Sequence, residues 1–291
     1  MNGIVVGIDG SPAAQQALNW ALGTASRRRL GVRIVHAAEL WRAKLRSDSD
    51  DASAPATQVR EHGQRLVDEA AEMAKRSCPD VQVSREFIVG AAAHVLVKQS
   101  ESAELLVVGN RGVGGFGGLL LGSTALKVAS HAACTVVAVP FVQGGQARRH
   151  GIVVGVDFST DMQTVLQFAF REARDLDERI TAVHAWRNPN LLGPAPAVPL
   201  MFDLDLVAGQ QRVRITDAVS GCAERFPDVE LVTKSLIGHP AKVLLDEAQT
   251  AGLLVVGTRG HGELRSLVLG SVSHAVLHHA VAPVAVVRTR G

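Results

Sequence analysis

Short apolar runs alternate along this chain with longer stretches of helical spacing. In the first half the runs are Ile4–Ile8, Val32–Ala37, Val81–Val89, Leu105–Gly109 and Thr135–Val139. In the second they are Ile152–Val156, Ile180–Ala185, Val229–Ile237, Leu253–Gly257 and Pro283–Val287. Runs rich in Val, Ile and Leu that do not alternate with polar residues read as strands buried on both faces. That is the pattern of a parallel sheet between two helix layers. Between the runs, residues 12–28, 58–76, 92–101 and 123–133 show helical spacing. Strand–helix alternation predicts an α/β doubly wound fold with five parallel strands per domain.

The pattern occurs twice. Gly109-x-x-Gly112, nine residues, then Gly122-Ser123 recurs as Gly257-x-x-Gly260, nine residues, then Gly270-Ser271, an offset of 148 positions. The same offset relates Val5-Val6-Gly7-Ile8-Asp9 to Val153-Val154-Gly155-Val156-Asp157, Val35-His36-Ala37 to Val183-His184-Ala185, and Gly90 to Gly238. Solenoid units span about 20–50 residues, so a repeat of this length is a whole domain. The predicted organisation is a first domain over 1–143, a linker over 144–150 and a second domain over 151–291. The joint around Gly144-Gly145-Gln146 is polar and glycine-containing, as linkers are. Residues 42–57 and the Pro-rich 187–202 read as loops after the second strand of each half. They lie on the side where ligands meet such sheets and are expected to be variable surface, a lid or a partner contact.

Composition narrows the function classes. The chain has 291 residues, 47% of them hydrophobic and 20% charged, with a formal net charge of +2. That balance gives no strong pull toward nucleic acid or anionic membranes. Aromatics make up 4% with no Tyr, which leaves little for a base-stacking surface. Arg27-Arg28-Arg29 has no counterpart in the second copy and reads as the solvated end of a helix. Cys78, Cys134 and Cys222 are odd in number, unmatched by the repeat and form no CxxC, which fits reduced thiols and no structural zinc. The N-terminus lacks a basic n-region, and no run approaches the roughly 18 apolar residues of a membrane-spanning helix. A cytoplasmic location is expected.

The glycine motifs carry the chemistry. In each copy a strand ends at Gly109 or Gly257, and a helix begins at Gly-Ser, with Ser123 expected as its N-cap. Glycines let backbone N–H groups approach a ligand, and a helix N-terminus adds free donors and partial positive charge. Together they form a phosphate cradle, to which Arg111 and Arg259 add charged donors. The G-x-G-x-x-G reading of Gly112–Gly117 fails in the second copy. No acidic residue lies between 105 and 156 to hold a ribose about 20 residues on, so a dinucleotide site is not expected. A P-loop is excluded because neither copy has its Lys. Asp9 and Asp157 end the first strands, followed by Ser11 and Ser159. Asp-x-Ser reads either as a capped strand-to-helix turn or, for the Asp, as an acceptor for a ribose hydroxyl.

At these residues the sequence closely resembles the universal stress protein family, over nearly the whole chain and in a tandem arrangement like that of two-domain actinobacterial members. The resemblance implies Rossmann-like five-stranded domains and, since both copies carry the full glycine motif, two ATP sites. Carried over, Asp9 and Asp157 hold the ribose, with Gly10 beside Asp9. Backbone at Ala37 and Ala185 contacts adenine, and Val108 and Val256 flank the nucleotide. Gly109, Gly112, Gly122 and Ser123, and likewise Gly257, Gly260, Gly270 and Ser271, cradle phosphates. Thr124 and Val272 add backbone donors. Mg is expected with the ATP. Gly10 becomes Phe158, which loses backbone freedom, and Val113-Gly114-Gly115 becomes His261-Gly262-Glu263, so unequal affinities are expected. The last strands, Thr135–Val139 and Pro283–Val287, are apolar edges of the kind that pair in this family. The halves are expected to pair, and two chains to form a homodimer.

Three functions follow as expectations: a cytosolic ATP-binding regulatory protein whose nucleotide biases conformation or partner binding, a slow ATPase or phosphotransferase using Arg111, Arg259, His261 or Glu263, and a non-catalytic scaffold.

Overall fold

A computed structural model of the chain describes residues 3–39, 54–113, 121–143, 149–187, 203–258 and 269–288. The chain divides into two compact units, Met1–Gly144 and Gly145–Gly291.

The first unit runs β1 (Gly3–Gly7), α1 (Pro12–Arg28), β2 (Val32–Ala38), α2 (Ala54–Ser77), β3 (Val83–Val89), α3 (Ala92–Gln99), a short 3₁₀ turn (Ser100–Ser102), β4 (Ala103–Gly109), α4 (Ser123–His131) and β5 (Thr135–Val139). Its strands lie in the order β3-β2-β1-β4-β5, and neighbouring strands are parallel. The second runs β6 (Ile152–Gly155), α5 (Met162–Leu176), β7 (Ile180–Trp186), α6 (Leu204–Arg225), β8 (Leu231–Ile237), α7 (Pro240–Glu247), β9 (Leu253–Gly257), α8 (Ser271–His279) and β10 (Val284–Val287). Its order is β8-β7-β6-β9-β10, again parallel throughout. Both units are therefore doubly wound Rossmann-like domains.

The chain moves outward from β1 to β3 and then returns to β4 on the other side of β1. That reversal puts the switch point, where a crevice opens past the carboxyl ends, between β1 and β4. Asp9 and Gly109 stand at those two ends. The homologous junction in the second unit lies between Asp157 and Gly257.

Helix α1 shows why the sequence folds this way. Ser11 caps it by accepting a hydrogen bond from the Ala14 N–H, and Pro12 fills the first helical position. Its buried face is mostly small: Ala13, Ala14, Ala17, Ala21 and Ala25 beside Leu18 and Leu22. The helix consequently lies close to the sheet, and a Cβ on Gly109 would stand 2.8 Å from the backbone of Ala13 and Ala14. The helix ends at Arg29 in the left-handed region (φ 54°), with Arg27 and Arg28 in its last turn. There they complement the helix dipole, and Arg28 pairs with Glu104 at 3.2 Å. Asp177, at the matching place after α5, has the same φ of 54°. Where α1 carries Leu22, α5 carries Phe170, which is fully buried with its ring 5.7 Å from Phe226.

One expectation changes. The run at 81–89 does not form a strand buried on both faces. β3 begins at Val83, is outermost in the order, and exposes Ser84, Arg85 and Glu86. Charged residues protect such an edge from further pairing. The described residues contain no helix long and apolar enough to cross a membrane. All three cysteines are free thiols, and burial pushes the Cys134 thiol up to about 12.

Replacing Phe170 by Ala is expected to destabilise the second unit by about 3–5 kcal/mol. Denaturant unfolding followed by a probe in that unit measures this, and a loss below about 1 kcal/mol would contradict the packing described.

Candidate functional site

A backbone bond ties together the two ends of the glycine motif. In the first unit the Gly122 N–H donates to the Asn110 carbonyl at 2.7 Å, and the Asn110 N–H donates to Val139 at 2.8 Å. In the second, Gly270 donates to Thr258 at 2.7 Å, and Thr258 donates to Val287 at 3.0 Å. The same bond thus closes the neck of the loop in both copies, beside the ends of the last two strands of each unit. Residues 114–120 and 259–268, inside the two loops, lie outside the described residues. They include Arg259, Gly260, His261 and Glu263. Of the segments expected as loops, 42–53 and 188–202 lie outside them as well, as does most of the linker, while 54–57 begin helix α2 rather than continuing a loop.

The helix after the neck starts one residue earlier than expected. Gly122 and Gly270, not Ser123 and Ser271, are the N-caps, and neither helix has a side-chain cap. The serines are the first helical residues. A glycine cap leaves the first-turn N–H groups of Ser123, Thr124 and Ala125 without a side-chain acceptor. Ser271, Val272 and Ser273 stand in the same positions on α8. There Ser273 Oγ donates to the Gly257 carbonyl at 2.5 Å and ties the helix to the end of β9.

Asp9 joins the strand end to the loop. One carboxylate oxygen accepts from the Ser11 N–H and the other from the Val113 N–H, both at 3.0 Å. Ser11 Oγ, besides capping α1, donates to the Arg111 carbonyl at 3.2 Å. Gly112 sits between these bonds, and a Cβ there would stand 2.2 Å from Asp9 Oδ2. Glycine at 112 is therefore required by the close approach of a carboxylate. Asp157 makes the same local turn, accepting from the Ser159 N–H at 3.0 Å and from Ser159 Oγ at 2.7 Å.

The histidine of the Val-His-Ala strand also has a positional role. His36 Nδ1–H donates to the Ile8 carbonyl at 2.8 Å, and His184 Nδ1–H donates to Val156 at 2.8 Å. Each holds the residue just before the strand-end aspartate. The carbonyl is an acceptor only, so the proton lies on Nδ1.

In the first unit a cleft of about 720 Å³ opens here, within the roughly 300–1,000 Å³ range of small-molecule sites. One part is apolar: Ala37, Ala38, Val59, Ala91–Ala93 and Val113. The other presents Ser123, Thr124 and Lys127 at the start of α4, with Glu39 and Gly90 also on the wall. Of the residues singled out in the sequence, Ala37, Ser123 and Thr124 line the cleft. Asp9, Arg111, Gly112 and Gly122 belong to the bond network at its rim. Val108 and Val256 are buried strand side chains, each 4% exposed. Gly109 serves close packing against α1. Lys127 was not among the expected residues. It lies three and four residues after Thr124 and Ser123, a helical spacing visible in the sequence. Position 275 is alanine, however, so comparing the two copies gives Lys127 no weight.

The copies diverge at Gly10 and Phe158. Gly10 has φ 82°, and Phe158 keeps the same left-handed turn at φ 59°. The backbone is conserved rather than lost, at a strain of order 1–2 kcal/mol for a bulky residue. The ring meets His184 at 4.2 Å between centroids, and the Arg214 guanidinium lies 4.2 Å from its centre. These contacts offset the strain. Leu66 occupies the place of Arg214 in the first unit, 3.3 Å from where a Gly10 Cβ would be. Burial is the main cause that holds the His184 pKa below its ordinary value. The Arg214 charge adds to it, while the bond to Val156, the Asp157 charge and the bond to Gln211 oppose it.

Two outcomes follow. Gly112→Ala is expected to break the Asp9–Val113 bond and lower stability by about 1–3 kcal/mol. Hydrogen exchange at the Val113 amide should accelerate, and unchanged exchange would contradict the geometry. For His184, the unfolded chain binds a proton near pH 6.5 while the folded chain resists it. Stability of the second unit therefore falls as pH drops below about 6.5 toward the depressed folded value. In melts between pH 7.5 and 5.5, His184→Gln should flatten that slope.

The universal stress protein family matches residues 1–140 and again 149–288. Over 294 residues the chain is 32% identical to a universal stress protein of Mycobacterium tuberculosis (strain ATCC 25618 / H37Rv), covering 98% of this chain and 96% of the relative. It is 31% identical over 293 residues to one from Mycolicibacterium smegmatis, with 99% and 97% covered. Among solved structures, a universal stress protein from Archaeoglobus fulgidus superposes with a TM-score of 0.70 at 19% identity, covering 99% of this chain and 96% of that one.

Proposed function

The chain belongs to the universal stress protein family, and from that premise we propose that it is a regulatory protein that binds ATP at the carboxyl edge of each unit. The observation that carries this reading is the divided cleft of the first unit. Its apolar part, with Ala37, Ala38, Val59 and Ala91–Ala93, suits a purine. Its other part offers the first turn of α4, uncapped by any side chain, and the Lys127 ammonium. Backbone N–H groups at a helix start together with a cation suit a chain of phosphates.

Asp9 supplies the switch in this reading. Its carboxylate already holds the Val113 N–H, and a ribose hydroxyl donates to the same group. Nucleotide binding therefore changes how firmly the β4–α4 loop is held, and a partner that distinguishes the two loop states reads ATP occupancy. The shift is limited by the difference in ATP affinity between those states. Mg accompanies the triphosphate, Arg111 and its repeat partner Arg259 are assigned to the phosphates, and the domain boundaries are those at 143 and 151. Asp157, Ala185, Gly257, Gly260, Gly270, Ser271 and Val272 form the second site. It binds more weakly, because Ala275 replaces Lys127. A homodimer is part of the proposal, and light scattering showing a strict monomer at micromolar concentration would remove it.

Calorimetry with ATP and AMP on the full chain tests the assignment. Asp9→Ala should weaken ATP about tenfold or more, since a hydrogen bond to a charged group contributes about 1.5–3 kcal/mol. Lys127→Ala should weaken ATP but leave AMP nearly unchanged. Equal effects on both nucleotides would remove Lys127 from the phosphate site. Unchanged ATP affinity in Asp9→Ala would remove the ribose assignment.

A further inference from the structure

Three histidines stand on α8: His274, His278 and His279. None has a counterpart in the proposed nucleotide chemistry. His274 and His278 are four residues apart and so share one face of the helix. Their ring centroids are 4.6 Å apart. His274 is exposed and His278 half-buried, so both rings are within reach of solvent. This is the spacing by which paired histidines on one helical turn hold zinc in other proteins. Among the described residues no group of three or more His, Cys, Asp or Glu could hold a metal. A metal held by the pair would complete its coordination with water.

We propose that His274 and His278 bind one divalent transition-metal ion of the copper(II) or nickel(II) class. The donor type selects the class: imidazole nitrogen suits these metals, and affinity rises through nickel(II) to copper(II) before falling at zinc. A metal lies about 2.0–2.1 Å from an imidazole nitrogen, hence about 3.2 Å from the ring centre. Two imidazoles at right angles around the ion then have centres about 4.5 Å apart, against about 5.2 Å at a tetrahedral angle. The 4.6 Å between the two ring centres falls between these values, so one ion can reach both rings. His279 is adjacent to His278 in sequence, so it projects from a different side of the helix and lies outside the chelate.

The first unit supplies an internal contrast. Its corresponding positions are Leu126 and Ser130, so the site occurs once per chain. The chelate bridges successive turns of the helix that begins at Gly270 and Ser271. A bound ion therefore stabilises the folded second unit by mass action. The proposal is independent of nucleotide binding.

The test uses the full chain without a histidine tag, titrated with copper(II) or nickel(II) chloride. One ion per chain is expected at micromolar metal, with a copper paramagnetic resonance spectrum showing coupling to two imidazole nitrogens. His274→Ala and His278→Ala should each weaken binding by about tenfold or more, as loss of one arm of a chelate does. His279→Ala should leave it within about twofold. Coupling to fewer than two imidazole nitrogens at the tightest site overturns the proposal. So does wild-type affinity in the double variant, or binding that needs millimolar metal.

Discussion

A single carboxylate holds the working edge of the first unit together. Asp9 leaves the end of β1, takes the Ser11 N–H with one oxygen and the Val113 N–H with the other, and so spans the switch point. Much of the local sequence follows from that contact. Residue 112 must be glycine because the carboxylate fills the space of a side chain. Ser11 must reach both the helix start and the Arg111 carbonyl. His36 must hold the Ile8 carbonyl so that the aspartate is presented at a fixed point. These residues are far apart in sequence, and each contributes a bond of about 0.5–1.5 kcal/mol, or more where it is charged. Together they fix the Asp9 carboxylate, the Arg111 carbonyl and the Val113 amide where the chain leaves β4.

The second unit repeats the frame and changes the fittings. The neck bond from Gly270 to Thr258 (2.7 Å) and the His184 bond to Val156 (2.8 Å) have the same lengths as their counterparts in the first unit. At Phe158 the left-handed turn survives without glycine, supported by His184 and Arg214. Ser273 ties α8 to β9, and Lys127 gives way to Ala275. Backbone geometry has thus been kept while the side chains that tune charge at the cleft have diverged.

The fold was legible because parallel strands buried between helices leave continuous apolar runs, and α1 was bounded by Ser11-Pro12 and Arg27-Arg28. The strand-end aspartates and the loop glycines were legible through their spacing. The edge position of β3 was not, because Val81, Val83 and Val89 around a charged centre give no alternation to read. The reasons for the glycines also lay beyond the sequence. Gly109 answers to the Ala13–Ala14 backbone and Gly112 to Asp9, contacts between segments about 100 residues apart. Lys127 stood at a readable helical spacing but only in one copy, and the 4.6 Å approach of His274 and His278 depends on rotamers that spacing does not determine.

The central claim is that the carboxyl edge of each unit is a nucleotide site, stronger in the first unit. Native mass spectrometry of the unmodified chain, as purified and then with added ATP, addresses it most directly. The account predicts that ATP adds stepwise, one molecule per chain at low concentration and a second at higher concentration. A chain that remains free of nucleotide at millimolar ATP would contradict it.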